Sequence, residues 1–490
     1  MSNKQKSLKI NFIMNAILTM SSFIFPLITF PYVSRILMPI GTGKVSFATS
    51  LVSYFSMFAQ LGIPTYGIRA CAKVRDNKEE LTKTVHELFM INMIMSIISY
   101  IVFFVMLASI PKLKEEKILY LIVSLTIIFN TLGMEWLYKA LEQYTYITIR
   151  SIIFKFIALI AMFILVNEKK DYIVYGGISI FAASASNIMN FINIKKYIYL
   201  KPMKNYNFNK HFKAVSIFFA MACATTIYTH LDTVMLGFMT TDEDVGYYNA
   251  AIKIKTILVS IVTSLGTVLL PRASYYIEHG NIKQFKHITK KALNFVFLIS
   301  TPLIIYFILY AKQGIYFLSG ESYYNAITPM QIIMPTLLFI GITNILGIQI
   351  LVPLGKERFV LYSEIAGAIT DLIINIILIP VLKASGAALG TLIAEIIVFI
   401  VQYYVLKREV KESFKSIAYL KIVIATIIGL VFSYWVVFLN IGNFFSLLLS
   451  SILFMGAYLV SLIIMKETLV IDLTNQLLSR LFKKSKKVKL

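Results

Sequence analysis

The chain has 490 residues, of which 58% are apolar and only 14% charged, where a soluble domain carries roughly 45–50% and about 25%. That balance excludes a soluble fold. The 47 basic and 24 acidic residues leave a net charge of +23, which is weighed first against membrane topology, because polytopic proteins hold Lys and Arg in their cytoplasmic loops.

In chain order, a basic start with Lys4, Lys6 and Lys9 leads into an apolar run that is too long for a cleaved signal and lacks a small-residue cleavage site. This run is the first of fourteen predicted spans: 11–38, 42–68, 86–109, 117–139, 144–166, 171–194, 214–238, 243–270, 290–311, 323–353, 358–382, 384–406, 417–438 and 443–465. Each supplies the roughly 20 residues with which a helix crosses the hydrocarbon while bonding its own backbone groups. An even number places both termini on one side. On that side lie 33 Lys and Arg, against eight in the opposite loops (Lys44, Lys112, Lys114, Lys117, Lys169, Lys170, Lys312 and Lys383), which predicts cytoplasmic termini. The tail lysines from Lys483 to Lys489 are expected to contact anionic lipids, at about 1 kcal/mol per charge near the surface. Nucleic acid is not an expected partner, because no loop is long enough for a soluble domain.

Two weak matches suggest duplication. Gly43 and Arg69 recur as Gly246 and Arg272, and Asn130-Thr-Leu-Gly133 recurs as Asn344-Ile-Leu-Gly347. The expected organisation is an N-terminal lobe of spans 1–6 (1–194), a basic cytoplasmic linker (195–213), a C-terminal lobe of spans 7–12 (214–409), spans 13 and 14 (410–465) and a basic cytoplasmic tail (466–490). The fold class is an all-α integral membrane protein of about fourteen helices. Its two six-helix lobes should be related by a pseudo-two-fold axis along the membrane normal, with two extra C-terminal helices.

Six basic residues lie within or at the edges of spans: Arg35, Arg150, Lys155, Lys253, Lys255 and Lys421. A charge near the bilayer centre costs at least about 2.5–3.5 kcal/mol, so it faces a wet cavity or a partner. Lys421 is expected to snorkel. The other five are the candidate binding residues for an anionic substrate; the alternative is that Arg35 and Arg150 snorkel and that Lys155 pairs with Glu135 or another carboxylate. Among the acids, Glu364, Asp371 and Asn375 fall at i, i+7 and i+11, on one predicted stripe. Membrane carboxylates beside amide and hydroxyl oxygens can bind Na⁺ or carry a proton; the alternative is hydrogen-bonding glue between helices.

Enzyme signatures are absent from the sequence: no His-Glu-x-x-His, no Gly-x-Ser-x-Gly and no phosphate-binding Gly-rich loop. The five histidines lack metal-ligand spacing, and Cys71 and Cys223 form neither a disulfide framework nor a zinc pattern. Tyr247, Tyr248, Tyr323 and Tyr324 are candidates for stacking on sugars at the outer mouths of spans 8 and 10.

Three motifs near the N-terminus carry a family resemblance: Phe30-Pro-Tyr-Val-Ser-Arg-Ile-Leu37, Gly43-Lys-Val-Ser-Phe-Ala48 and Leu61-Gly-Ile-Pro-Thr-Tyr-Gly-Ile-Arg69. With Gly386-Ala-Ala-Leu-Gly-Thr391 and Glu395, they make the chain resemble polysaccharide repeat-unit flippases. These are the Wzx-type branch of the multidrug/oligosaccharidyl-lipid/polysaccharide exporter superfamily. The stretch Met38-Pro-Ile-Gly-Thr42 departs from the more glycine-rich turn of that family.

The resemblance implies a V-shaped transporter, not an enzyme, with a cationic cavity between its lobes. It would turn an undecaprenyl-pyrophosphate-linked oligosaccharide from the inner to the outer leaflet of the bacterial cytoplasmic membrane, for capsule or other surface polysaccharide. Alternating access would be coupled to an ion gradient, as in an antiporter, next to polysaccharide polymerase machinery and without a cofactor. By likeness to lipid II flippases, Asp232, Asp371, Asn375 and Thr391 could bind the coupling Na⁺; H⁺ is the other coupling ion considered. Competing readings are a teichoic acid or lipid II flippase and a multidrug exporter, whose cavity would be acidic. A membrane polymerase or ligase would need a larger external loop.

Overall fold

A computed structural model describes residues 8–439, 441–472 and 474–475. Lys4, Lys6 and the tail lysines therefore lie outside the described residues. Among those described, the secondary structure is helical throughout, with no strand. Apolar side chains line the outside of the helices, as at Val381, Leu420 and Ile464, each more than 70% exposed. Such faces are stable against lipid and not against water.

By internal packing the chain forms two compact units, Met1–Gly246 and Tyr247–Leu490. The first contains α1 (Leu8–Gln60), α2 (Ile63–Val74), α3 (Lys78–Ser109), α4 (Pro111–Glu115), α5 (Lys117–Gly133), α6 (Glu135–Ala140), α7 (Tyr144–Leu165), α8 (Tyr172–Ile180), α9 (Asn187–Asn193) and α10 (Asn209–Met239). Helix α1 breaks at Met38 (φ 60°, ψ 177°), just before Pro39. Proline cannot donate to the preceding turn and disfavours the α region at its predecessor. Polar bonds tie the neighbours together: Asn92 Nδ2 donates to the Ala59 carbonyl at 2.6 Å, and Ser96 and Thr131 share a hydrogen bond of 2.8 Å.

The segment joining α9 to α10 is anchored by a buried acid. Glu87 accepts from the Asn207 backbone N–H at 2.7 Å, from Lys210 Nζ at 2.7 Å and from His211 Nε2 at 2.9 Å, while His211 Nδ1 lies 2.8 Å from the Tyr66 hydroxyl. A carboxylate only accepts, so Nε2 carries a proton toward Glu87, and in the neutral ring Nδ1 accepts from Tyr66. Packed on α1 and α2, α10 is part of the first unit.

The start of α11 (Asp242–Glu278) belongs to the first unit and the remainder to the second. There follow α12 (Ile282–Leu309), α13 (Ala311–Ser319), α14 (Ile327–Ile333), α15 (Thr336–Asn344), α16 (Glu357–Leu382), α17 (Ala384–Lys415), α18 (Tyr419–Tyr434) and α19 (Asn443–Ile464). Tyrosines hold the last two helices to α12. Tyr310 donates to the Ser433 carbonyl at 2.7 Å, Tyr458 donates to the Leu298 carbonyl at 2.8 Å, and Tyr306 and Ser450 are 2.9 Å apart.

Length and apolarity alone identify 11 membrane-crossing helices among the described residues, or 12 when the pair Glu321–Ile333 and Thr336–Leu351, bent by 44°, counts as one span. This does not reproduce the expected count of fourteen helix for helix. The 65-residue run Ile10–Val74 covers two of the expected spans; at 1.5 Å per residue it is about three times the roughly 30 Å of hydrocarbon. The expected fourth span is a helix of only 17 residues, Lys117–Gly133.

Candidate functional site

Three of the five expected substrate cations lie in the first unit, each in a different setting. Arg35 is exposed on α1 and donates to the carbonyl of Pro31 within its own helix. Arg150 is buried on α7, donating to Ser186 Oγ at 2.7 Å and Glu135 Oε2 at 3.0 Å; Glu135 also pairs with Lys139 at 2.9 Å. Glu135 thus pairs with Arg150 and not with Lys155. Lys155 Nζ instead donates to the hydroxyls of Ser21 at 2.8 Å and Ser22 at 3.0 Å. Among the described residues no carboxylate makes a salt bridge to it. This ammonium borders a groove of about 390 Å³ between α1 and α7 whose walls are apolar, including Met20, Ile24, Phe25 and Phe156. The other two cations, Lys253 and Lys255, are half-buried on α11 in the second unit.

The second unit also assembles most of the expected ion-coupling residues. Asn375 Nδ2 donates to Asp371 Oδ1 at 3.2 Å, and both are buried against α17. Gly390 makes that approach possible: a Cβ there would stand 2.2 Å from Asn375 Oδ1 and 2.9 Å from Asp371 Oδ1. The next residue, Thr391, donates to the Ala387 carbonyl at 3.1 Å and lies 3.0 Å from the Tyr248 hydroxyl. One turn further along α17, Glu395 is buried, and its Oε1 has no hydrogen-bond partner among the described residues. The fourth coupling candidate, Asp232, is buried on α10 in the first unit.

The predicted stripe on α16 holds for Asp371 and Asn375 but not for Glu364, which is exposed. The buried line runs through Ser363, Gly367, Asp371, Asn375 and Ile379, an i±4 ridge inclined to the helix axis. Two turns before Asp371 that ridge reaches Ser363, which accepts from Gln402 Nε2 at 3.0 Å. The expected sugar-stacking tyrosines also divide. Tyr247, Tyr248 and Tyr323 are buried in helix packing, and only Tyr324, 63% exposed, keeps an open ring.

In the first unit, the break in α1 meets the first turn of α11 through two glycines. A Cβ on Gly43 would lie 1.8 Å from the Asp242 carbonyl oxygen, and one on Gly246 would lie 2.2 Å from that of Pro39. The matched residues of the suspected repeat thus make reciprocal contacts. Beside them Lys44 pairs with Glu116, which also accepts from the Tyr172 hydroxyl at 2.7 Å. Lys112 donates to the carbonyls of Gly237 and Thr240, closing the end of α10.

Residues 8–277, more than half of the chain, match the family of polysaccharide biosynthesis proteins, and residues 217–377 match the MatE family. The chain belongs to the polysaccharide biosynthesis protein family. It is 24% identical over 400 residues to a candidate O-antigen transporter of Escherichia coli K12, covering 81% of this chain and 96% of that protein. Its fold is that of a lipid II flippase MurJ in an inward closed conformation, with a TM-score of 0.71 at 18% identity over 92% of this chain and 98% of the other. It also resembles an inward-facing multidrug resistance MATE transporter of the MOP superfamily, with a TM-score of 0.62 at 12% identity over 83% and 99%. These proteins are transporters and flippases, the class that the resemblance implied. The polysaccharide biosynthesis protein described here is a multi-pass membrane protein.

Proposed function

We propose that the protein is a flippase for undecaprenyl-pyrophosphate-linked oligosaccharide repeat units, moving them from the inner to the outer leaflet of the bacterial cytoplasmic membrane for capsule or another surface polysaccharide. The observation that carries this reading is Lys155, a mid-helix ammonium held by two hydroxyls at the edge of an apolar groove. An anionic group attached to a long hydrocarbon matches both halves of that setting, whereas a cationic drug matches neither Lys155 nor Arg35. A pyrophosphate and its sugars cannot cross hydrocarbon unaided. Arg35, Lys155, Lys253 and Lys255 would receive the pyrophosphate in turn, while the prenyl chain stays in lipid. Arg150, occupied by Glu135 and Ser186, would orient rather than bind.

Transport requires the contact of Gly43 and Gly246 with the opposing backbones to open and reform. With both termini in the cytoplasm, as the Lys and Arg distribution predicts, this contact would face outward. Asp371, Asn375 and Thr391 in the second unit, or Asp232 in the first, would take up a coupling Na⁺ or H⁺, whose differential binding to the two states supplies the driving force. Capsule polymerase machinery would receive the product, and the basic tail would contact anionic lipids. The test is reconstitution in liposomes with the lipid-linked oligosaccharide, followed by its accessibility to a membrane-impermeant glycosidase. Protein-dependent exchange between leaflets supports the reading, and exchange equal to that of protein-free liposomes refutes it.

A further inference from the structure

Away from the lysine groove, the first unit holds a second, partly open compartment of about 330 Å³ bounded by α1, α5, α10 and the end of α8 with the turn after it. Its chemistry is the reverse of the groove's. Thr49, Ser53, Ser56, Gln60, Asn130 and Thr226 bring hydroxyls and carboxamides to it, and no Lys, Arg, Asp or Glu lines it. Val52, Val123 and Ile180 give it an apolar side. His230, also in the lining, has its Nδ1 3.2 Å from Ser50 Oγ.

Two lining atoms, Gln60 Nε2 and Thr126 Oγ1, are buried without a hydrogen-bond partner among the described residues. A buried polar group left unbonded is destabilising, so these two side chains gain by turning toward a ligand that brings its own donors and acceptors. The volume lies at the lower end of the roughly 300–1,000 Å³ of ligand pockets. It suits one sugar residue better than a whole oligosaccharide. A pyranose presents uncharged hydroxyls around its rim and C–H groups on its faces, which matches a neutral polar wall beside an apolar one.

From this lining we infer that the compartment is a recognition pocket for one uncharged sugar residue of the transported glycan, separate from the cations that receive the pyrophosphate. The inference rests on the flippase reading and adds to it where the sugar is read. A rotation of the Gln60 carboxamide and the Thr126 hydroxyl into the compartment lets Nε2 donate to a sugar oxygen and Oγ1 bond a neighbouring hydroxyl.

The test uses the full-length protein in lipid nanodiscs and two kinds of probe: undecaprenyl pyrophosphate alone, and the same lipid carrying one hexose or one N-acetylhexosamine. The native protein should bind a sugar-bearing lipid about tenfold more tightly than the bare lipid, the gain expected of one or two buried hydrogen bonds. In the near-isosteric double variant Gln60→Leu, Thr126→Val that preference should fall to about one, with affinity for the bare lipid unchanged. The bare-lipid measurement also reports whether the variant is folded. A preference that survives the double substitution, or is absent from the native protein, overturns the pocket assignment while leaving the flippase reading intact. Failure of the native protein to bind any of these lipids overturns both.

Discussion

Lys155 and Arg150 lie little more than one turn apart on α7, yet different partners hold them, and their substitutions should fail differently. Removing Arg150 breaks charged hydrogen bonds with Glu135 and Ser186 at a buried position, a loss of about 1.5–3 kcal/mol for a hydrogen bond to a charged group. Arg150→Ala is therefore expected to lower the amount of protein in the membrane on an immunoblot. Lys155→Ala breaks only bonds to two serines, so the protein level should hold while liposome transport drops at least tenfold. Normal transport by Lys155→Ala would remove this lysine from the substrate path. Asp371→Asn keeps the shape and the neighbour Asn375 but removes the charge, and transport by this variant should no longer respond to a Na⁺ or H⁺ gradient. An unchanged response would leave Asp371 as packing between α16 and α17. The charged candidates were legible because a charge within an apolar run stands out; their partners were not. Ser21 and Ser22 are neutral and 134 and 133 positions from Lys155, and no sequence spacing connects them. The same holds for the neutral residues of the sugar pocket, scattered over several helices.

At the scale of elements, hydropathy located most helices to within a few residues, as at Tyr144–Leu165 and Asn443–Ile464. The break at Met38 falls at the expected boundary between spans 11–38 and 42–68, whereas the bend at Pro335 lies inside an expected span that is hydrophobic on both sides. The Met38 break brings Gly43 against Asp242, and the side-chain-free glycine is what permits that approach. Gly43→Ala would drive a Cβ into a carbonyl oxygen, so the contact should open. Cysteines at Thr42 and Thr241, with Cys71 and Cys223 replaced, report on it directly. The pair should cross-link efficiently in the parent and several-fold less in the Gly43→Ala variant, and equal yields would mean that the glycine does not govern closure. In the parent, a short reducible cross-linker should stop transport and reduction should restore it. Continued transport by fully cross-linked protein would move the hinge to other helices. Two glycines of the suspected repeat have like surroundings: Gly133 and Gly347 each receive a carboxamide side chain, from Asn187 and Gln402. Glu87 shows what was missed, since its place in the sequence did not reveal that it anchors the segment before α10.

For the whole molecule, composition and charge placement were enough to predict a polytopic membrane protein, and the family resemblance implied a transporter. The family rests on the match over residues 8–277, in agreement with the motifs in the first 69 residues. What the molecule carries depends on chemistry distributed over many helices: cations on α1, α7 and α11, an acid–amide pair on α16 and a neutral pocket in the first unit. The proposed lipid-linked glycan would use the cations at its pyrophosphate and the neutral pocket at its sugars, and leave the acid–amide pair to the coupling ion. The most direct measurement is made in cells: delete the gene and locate the lipid-linked oligosaccharide with a membrane-impermeant glycan label in intact cells and in inverted vesicles. The precursor should accumulate on the cytoplasmic leaflet while the surface polysaccharide disappears, and the intact gene should reverse both. A precursor that still reaches the outer leaflet at the normal rate, in cells without another flippase of this family, would contradict the assignment.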